Sequence, residues 1–492
     1  MMERLLRNRG LCLALVGALS VLVHAKGLTA PLLDYHFHRQ VNTASIARAY
    51  WRESRPFLSP RIDWEGPEDR LAGTELPVYM WLYGKLWPVA GLGETWGRVL
   101  SALGSLVTAL LLFGLYEAEF GREEALFGAL LFSCLPVEVF FGRTVQPEGV
   151  ALCALVGALV FWRRSLEPGR PWGAWAGAVF CAWVAVGLKL PYAHLLVPLA
   201  GLTYRKLGKK ALTDWRMYAA GLVAMGGVIA WYLRARSGVY VVPTHGDEYT
   251  HLLSYERLPY FMQFQVFSRF PELVTTYGGL VLFFVGAREV LAKKRDAFWL
   301  AWFGGVGLHL WAMAGYAHYH EYTCLPMAPV AAGLIGVGAA RLRAKASRSG
   351  SRLALAGFAG LILAVPVHAG FRISHWYKQG FSYLAGAGKA AAAVSTPSDL
   401  YLSNCQASSV LLYYLDRRGW SDELDSHPEI ADAKIEEFRL KGARFLASEK
   451  RGLFAEDGAQ WKKLSKAGPP LWDDGALVIF RLPSNDKMKA PR

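Results

Sequence analysis

Charge is scarce in this sequence: 19% of its 492 residues are Asp, Glu, Lys or Arg, against 53% that are hydrophobic. Soluble domains carry closer to a quarter charged residues, and the mean hydropathy here is +0.21. The shortage argues for a membrane protein and excludes a disordered chain. Cysteine is scarce too. Of the six, Cys12, Cys134, Cys153, Cys181 and Cys324 lie in or beside apolar runs, and Cys405 stands alone. No disulfide framework or zinc spacing is visible, which excludes a small secreted scaffold. The chain also lacks a phosphate loop, a dinucleotide fingerprint and an internal repeat. Acidic residues are outnumbered 39 to 54, for a net charge of +15. The basic excess sits in short loops between apolar runs, so a bilayer is the expected partner and nucleic acid is not.

What is present in quantity is apolar sequence. A spanning helix needs about 20 mostly apolar residues, and about eleven runs qualify, near 10–28, 95–116, 124–142, 147–162, 172–188, 190–204, 214–233, 272–288, 297–316, 322–340 and 353–371. The pairs around 124–162 and 172–204 could be re-entrant or broken. The fold class expected is mostly α, a polytopic transmembrane helical protein with a small C-terminal extracytoplasmic α/β domain. Basic clusters at Arg4/Arg7/Arg9, Arg163/Arg164/Arg170, Arg205/Lys206/Lys209/Lys210, Arg288/Lys293/Lys294/Arg295 and Arg341/Arg343/Lys345/Arg348/Arg352 occupy alternate loops. Placing them all on the cytoplasmic side puts the N-terminus inside and the segment after 371 outside. The first run has a second reading as a cleavable signal peptide ending at Val23-His24-Ala25.

Three segments then project outward from a membrane domain over 1–380 and a tail over 381–492: about 29–94, about 234–271, and the tail itself. The second is mixed in charge, with His245, Asp247, Glu248, His251 and Arg257. The tail holds 15 of the 39 acidic residues. Leu400–Ser403, Arg444–Ser448 and Ala476–Leu482 read as strands, and Ser408–Arg418 and Ile435–Lys441 as helices. Nothing in the tail reads as catalytic, and a lid or acceptor-docking role suits it.

Polar clusters on the outer side are the candidates for chemistry, because charge at a membrane boundary is costly. Asp34-Tyr35-His36-Phe37-His38-Arg39-Gln40 is the sharpest. Asp34 could act as a general base on a hydroxyl, or simply cap the helix that follows. In Arg143-Thr144-Val145-Gln146-Pro147-Glu148, Pro147 suits a first helical turn and Glu148 its positive end. That block reads equally as a plain helix start. Glu75 is a metal ligand, an acceptor contact or a solvated acid. Lys189, at an outer turn, binds a phosphate or snorkels to the interface. His318-Tyr319-His320-Glu321-Tyr322 offers ligands for a divalent cation, without diagnostic spacing, and its tyrosines suit an aromatic belt.

The run from Asp34 to Gln40, continuing through Thr43-Ala44-Ser45-Ile46-Ala47-Arg48, resembles the first external loop of bacterial GT-C-type membrane glycosyltransferases. These are the relatives of protein O-mannosyltransferases and of the lipid A aminoarabinose transferase. Pro60-Arg61-Ile62-Asp63-Trp64, Glu75-Leu76-Pro77-Val78-Tyr79, Arg143–Glu148 and His318–Pro326 look like further blocks of that family. The resemblance covers most of the membrane part and is loose over the tail. It implies an inverting transferase in the bacterial inner membrane, taking a sugar from a polyprenyl-phosphate donor such as undecaprenyl phosphate. The acceptor would be a hydroxyl of a lipid, glycan or protein on the periplasmic face. Asp34 would be the base and Glu148 a second catalytic acid. His36, His38, Arg39, Glu75, Arg143, Lys189, His318, Tyr319, His320 and Tyr322 would contact donor or acceptor. Glu75, His320 and Glu321 are the candidate ligands of a divalent metal. Many relatives carry two adjacent acids in the first loop, whereas Asp34 is followed here by Tyr35, which puts a metal requirement in doubt. A transporter or flippase of a lipid-linked sugar is the alternative. It would place charges near the bilayer midplane and show repeats, and neither is evident.

Overall fold

The computed structural model describes residues 2–238, 255–292, 297–317, 319–405 and 408–483. All eleven apolar runs are helical. Eight are carried in the main by one helix each: Arg9–His24, Glu94–Glu119, Glu148–Ser165, Trp172–Leu188, Trp215–Ala235, Ala297–Ala312, Met327–Ser349 and Arg352–Arg372. The other three are broken. The run at 124–142 splits into Arg122–Phe132 and Pro136–Phe141, where Pro136 lacks the N–H that would continue the ladder. The run at 190–204 opens with a tight turn, Leu190–Leu195, before Leu196–Leu207. The run at 272–288 is divided between Phe261–Val274 and Tyr277–Ala292, and the pair meets at 102°.

Among the described residues, Glu94–Glu119, Trp215–Ala235 and Arg352–Arg372 are long and apolar enough to cross a bilayer, and the bent pair is a fourth candidate. The remaining runs are shorter, broken or less uniformly apolar. Close packing compensates. Tyr277–Ala292 and Met327–Ser349 touch through Gly286 and Gly338, where any Cβ would strike the facing carbonyls of Leu334 and Leu282. Small residues of this kind let helix backbones approach where lipid supplies no hydrophobic drive.

Among the described residues, members of four of the five basic clusters gather at one end of the bundle. Arg9 and Arg122 bind Glu117, Arg163 and Arg205 bind Glu119, and Arg343 binds Glu123.

Beyond the opposite end lies a five-stranded sheet: β1 (Tyr401–Asn404), β2 (Gly419–Asp422), β3 (Phe445–Glu449), β4 (Trp472–Asp473) and β5 (Leu477–Arg481), in the order β2-β1-β3-β5-β4. β2, β1 and β3 run parallel, while β5 and β4 are antiparallel to their neighbours. β1, β3 and β5 are the strands expected. Helix Val410–Leu415 presses one face of the sheet onto the first external loop, and Ala431–Leu440 covers the other. The docking is polar as well as apolar. Arg48 reaches Asp63 at 2.8 Å and Asp416 at 3.0 Å, Gly66 N donates to Gly419 O at 2.7 Å, and Gly419 N donates to Asp63 O at 3.1 Å.

Candidate active site

Helix Phe37–Arg52 of the first loop carries the centre of the site. It starts at His36, a non-glycine residue in the left-handed conformation, with φ 60° and ψ 30°. Such strain persists only where surrounding contacts enforce it. Here His36 Nε2 lies 3.1 Å from Glu321 Oε2, and its ring packs among Tyr35, Phe141, His320 and Tyr322.

Just before this turn, Asp34 is 1% exposed between two fully buried arginines. Arg143 Nη2 is 2.7 Å from Oδ2 and Arg98 Nη1 is 3.1 Å from it, while Gln40 Nε2 donates to Oδ1 at 2.6 Å. Burial alone would raise the Asp34 pKa, but the Arg98 and Arg143 guanidiniums outweigh it and hold the carboxyl below its ordinary range. Asp34 thus has both oxygens engaged, and its contacts tie the loop to the helices that carry Arg98 and Gln40 and to the turn that carries Arg143. Arg143, expected at the donor phosphate, is committed to Asp34.

The second node assembles around Lys189. Helix Trp172–Leu188 ends there in an extended residue two positions before Pro191. Leu76 N donates to Gly187 O at 2.9 Å, which seats the Glu75 loop on that helix end. Lys189 Nζ then lies 2.5 Å from Glu148 and 3.3 Å from Glu75, and 5.2 Å from the centre of the Tyr322 ring. Arg39, one turn into the first-loop helix, also pairs with Glu75. Burial opposes ionisation of Glu75, yet Arg39, Lys189 and the Thr74 hydroxyl bring its pKa down to about 2. Glu75 and Glu148 are sealed, whereas the Lys189 and Arg39 side chains stay 15% and 14% exposed. The face this node presents is therefore cationic.

The third node is the turn Glu321–Cys324. Glu321 holds His36 and also lies 3.7 Å from Arg269, on helix Phe261–Val274. Burial would raise the Glu321 pKa, but the His36 contact and Arg269 lower it. Burial, reinforced by the positive charges of Lys189 and Arg39, lowers the His320 pKa to about 3, so that ring is neutral near pH 7.

Asp34, His36, Arg39, Glu75, Arg143, Glu148, Lys189, His320, Glu321 and Tyr322 thus meet in adjoining nodes. His38 turns to the tail, 2.9 Å from Ser408 Oγ, and Tyr319 is 71% exposed. His318, with His245, Asp247, Glu248 and His251, lies outside the described residues. The candidate metal set is not gathered. Glu75 faces Arg39 and Lys189, Glu321 faces His36 and Arg269, and among the described residues no group of three His, Cys, Asp or Glu could hold an ion. Sequence reasoning missed Arg98 and Arg269. A charge inside the apolar run 95–116 was the available signal for Arg98; for Arg269 there was none.

Residues 74–232 match the family model described as dolichyl-phosphate-mannose-protein mannosyltransferase. No curated sequence matches the chain. Among solved structures, the chain is similar to ArnT from Cupriavidus metallidurans bound to undecaprenyl phosphate, at 14% identity and a TM-score of 0.64, over 97% of this chain and 99% of that one. It is also similar to the oligosaccharyltransferase of Archaeoglobus fulgidus in its apo form, at 12% identity and a TM-score of 0.60, over 93% of this chain and 71% of that one. The fold is thus that of these multi-pass membrane proteins, as the first-loop resemblance implied. The family match, over residues 74–232, and the shared fold point the same way as the first-loop resemblance.

Proposed function

We propose that the protein transfers a sugar from an undecaprenyl-phosphate donor to a hydroxyl acceptor on the outer, periplasmic face of a bacterial inner membrane, with inversion at the anomeric carbon. The observation that carries this reading is the pair of partly exposed cations, Lys189 and Arg39, held by two sealed carboxylates at the end of the bundle opposite the basic loops. An ArnT of the same fold binds undecaprenyl phosphate, which supports the choice of donor.

In this reading Lys189 and Arg39 hold the donor phosphate, and Tyr322 lies beside Lys189. The bond between the anomeric carbon and the phosphate oxygen breaks, leaving its electron pair on the phosphate, where fixed cations stabilise the growing charge. The acceptor oxygen bonds to the opposite face of that carbon, which has oxocarbenium character. The acceptor's proton passes to His36, whose imidazole Glu321 orients as a carboxylate orients a catalytic histidine. This replaces Asp34 as the base and leaves it the task of fixing the backbone just before His36. Glu148 and Glu75 set the position of Lys189. The tail, docked through Arg48, Asp63 and Asp416, sits where it can present an acceptor.

The test is transfer in proteoliposomes from a panel of undecaprenyl-phosphate sugars, with wild type beside Lys189→Met. Consumption of one donor by wild type, reduced at least tenfold in the variant, is expected. Equal turnover by both would remove Lys189 from the site, and flipping of intact donor without cleavage would replace the transferase with a flippase.

A further inference from the structure

Behind the Lys189 and Glu321 nodes lies a buried imidazole pair that no step above uses. His309, on helix Ala297–Ala312, is 5% exposed. Its Nε2 is 3.0 Å from Thr323 O and its Nδ1 is 3.3 Å from Pro191 O. Pro191 O is also 3.0 Å from His194 Nδ1, and the two imidazole rings lie 5.0 Å apart. Pro191 follows Lys189 by two residues, and Thr323 follows Glu321 by two. The Thr323 hydroxyl donates to His320 O at 2.7 Å and accepts from Gln265 Nε2 at 3.3 Å, and Gln265 stands one turn before Arg269. One ring therefore touches the backbones of both turns that carry Lys189 and Glu321, and its Thr323 partner reaches the helix that carries Arg269.

We propose that His309 is a positioning residue: it braces the Lys189 turn against the Glu321–Tyr322 turn and so sets the spacing of the groups that bind the donor phosphate. In either tautomer a neutral ring has one N–H; the shorter contact assigns it to Thr323 O, and toward the Lys189 turn the ring bears on that of His194, 5.0 Å away, whose Nδ1–H donates to Pro191 O. The contact between Lys189 and Tyr322 in front is a face-on cation contact that a shift of the turn would loosen. The inference rests on the donor reading above.

Binding of undecaprenyl phosphate to purified full-length protein, read by tryptophan fluorescence, tests it. His309→Phe keeps a ring and loses the N–H, and should weaken binding about tenfold; His309→Gln, whose amide reaches the Nε2 position, should stay within about threefold of wild type. In a Lys189→Met background, His309→Phe should add less than about twofold, because both changes act on the same contact. Additive losses, or equal losses in the Phe and Gln variants, would reduce His309 to general packing and overturn the inference while leaving the donor reading intact. Failure of wild type to bind undecaprenyl phosphate would overturn that reading and the inference together.

Discussion

Replacing Asp34 by Asn separates a counter-ion from a base. Four N–H donors, from Arg98 Nη1 and Nη2, Arg143 Nη2 and Gln40 Nε2, converge on the two carboxylate oxygens. An asparagine keeps the shape, removes the charge and turns an amide N–H₂ toward some of those donors. Both guanidiniums are fully buried, and leaving a buried ion uncompensated costs about 3–5 kcal/mol. At roughly 2 °C per kcal/mol for a long chain, the variant should melt roughly 6–10 °C below wild type in detergent, by the loss of its monodisperse gel-filtration peak on heating. Removing one arginine at the same time should recover part of the loss, so Asp34→Asn with Arg143→Gln should melt above Asp34→Asn alone, a coupling opposite in sign to additivity. Acid gives a second check of sign. The Asp34 carboxyl is depressed in the folded protein, so its stabilisation is present above the unfolded pKa and is lost as pH falls through the folded one. A variant that melts with wild type yet transfers no sugar would refute the argument and make Asp34 the base.

Glu321→Gln should lower kcat by about a hundredfold, the scale of a general-base contribution, with the donor KM within about threefold; steady-state kinetics at varied donor would show the opposite if Glu321 served binding. Glu75 is held at about 2 against an ordinary 4.5, so wild type should lose about 3 kcal/mol of stability as pH falls from about 5 to about 2, and Glu75→Gln should lack that acid limb in a melting-against-pH series. Undecaprenyl phosphate, a monoester carrying up to two charges near pH 7, should bind more tightly than its sugar diester with one; the difference should shrink at about pH 5, below the second phosphate ionisation, and equal affinities at both pH values would contradict a cationic phosphate site.

The helices were legible because apolar length is a local property. The three broken runs were legible only in part. Pro136 and Pro191 mark where two of them stop, but nothing local dictates the 102° bend after Val274. In the tail, β1, β3 and β5 have fully buried residues and read as apolar strands. β2 went unread because it is only half-buried and its first residue, Gly419, bonds to the external loop. Helix Ala459–Ala467 was missed as well, its lysines hiding a short apolar stripe. The candidate site was legible as an inventory and not as a wiring. Asp34, Arg143, Lys189 and Glu75 stood out as polar residues at an apolar boundary, yet which cation meets which acid depends on contacts spanning 36 to 114 residues. The same distance hides the pairing of Asp34 with Arg98 and Arg143, of Glu75 with Arg39 and Lys189, and of Glu321 with His36 and Arg269.

The completed wiring also bears on transport against transfer. Four carboxylates, Asp34, Glu75, Glu148 and Glu321, face five basic side chains, Arg39, Arg98, Arg143, Lys189 and Arg269. A surplus of one positive charge matches one bound phosphodiester. A flippase must release that anion across the bilayer, which calls for charges near the midplane on helices that can move. Here Arg98 and Arg143 are pinned by Asp34, Lys189 is pinned by two sealed carboxylates, and all of them stand at the end of the bundle opposite the basic loops. Such a frame cannot follow a phosphate through the membrane without breaking buried pairs. It can stay rigid while one bond at that phosphate is exchanged, and the cost of reorganising charge during a reaction is lowest where the charges do not move. The rigidity of the pairs therefore favours chemistry at a fixed phosphate over passage of the lipid.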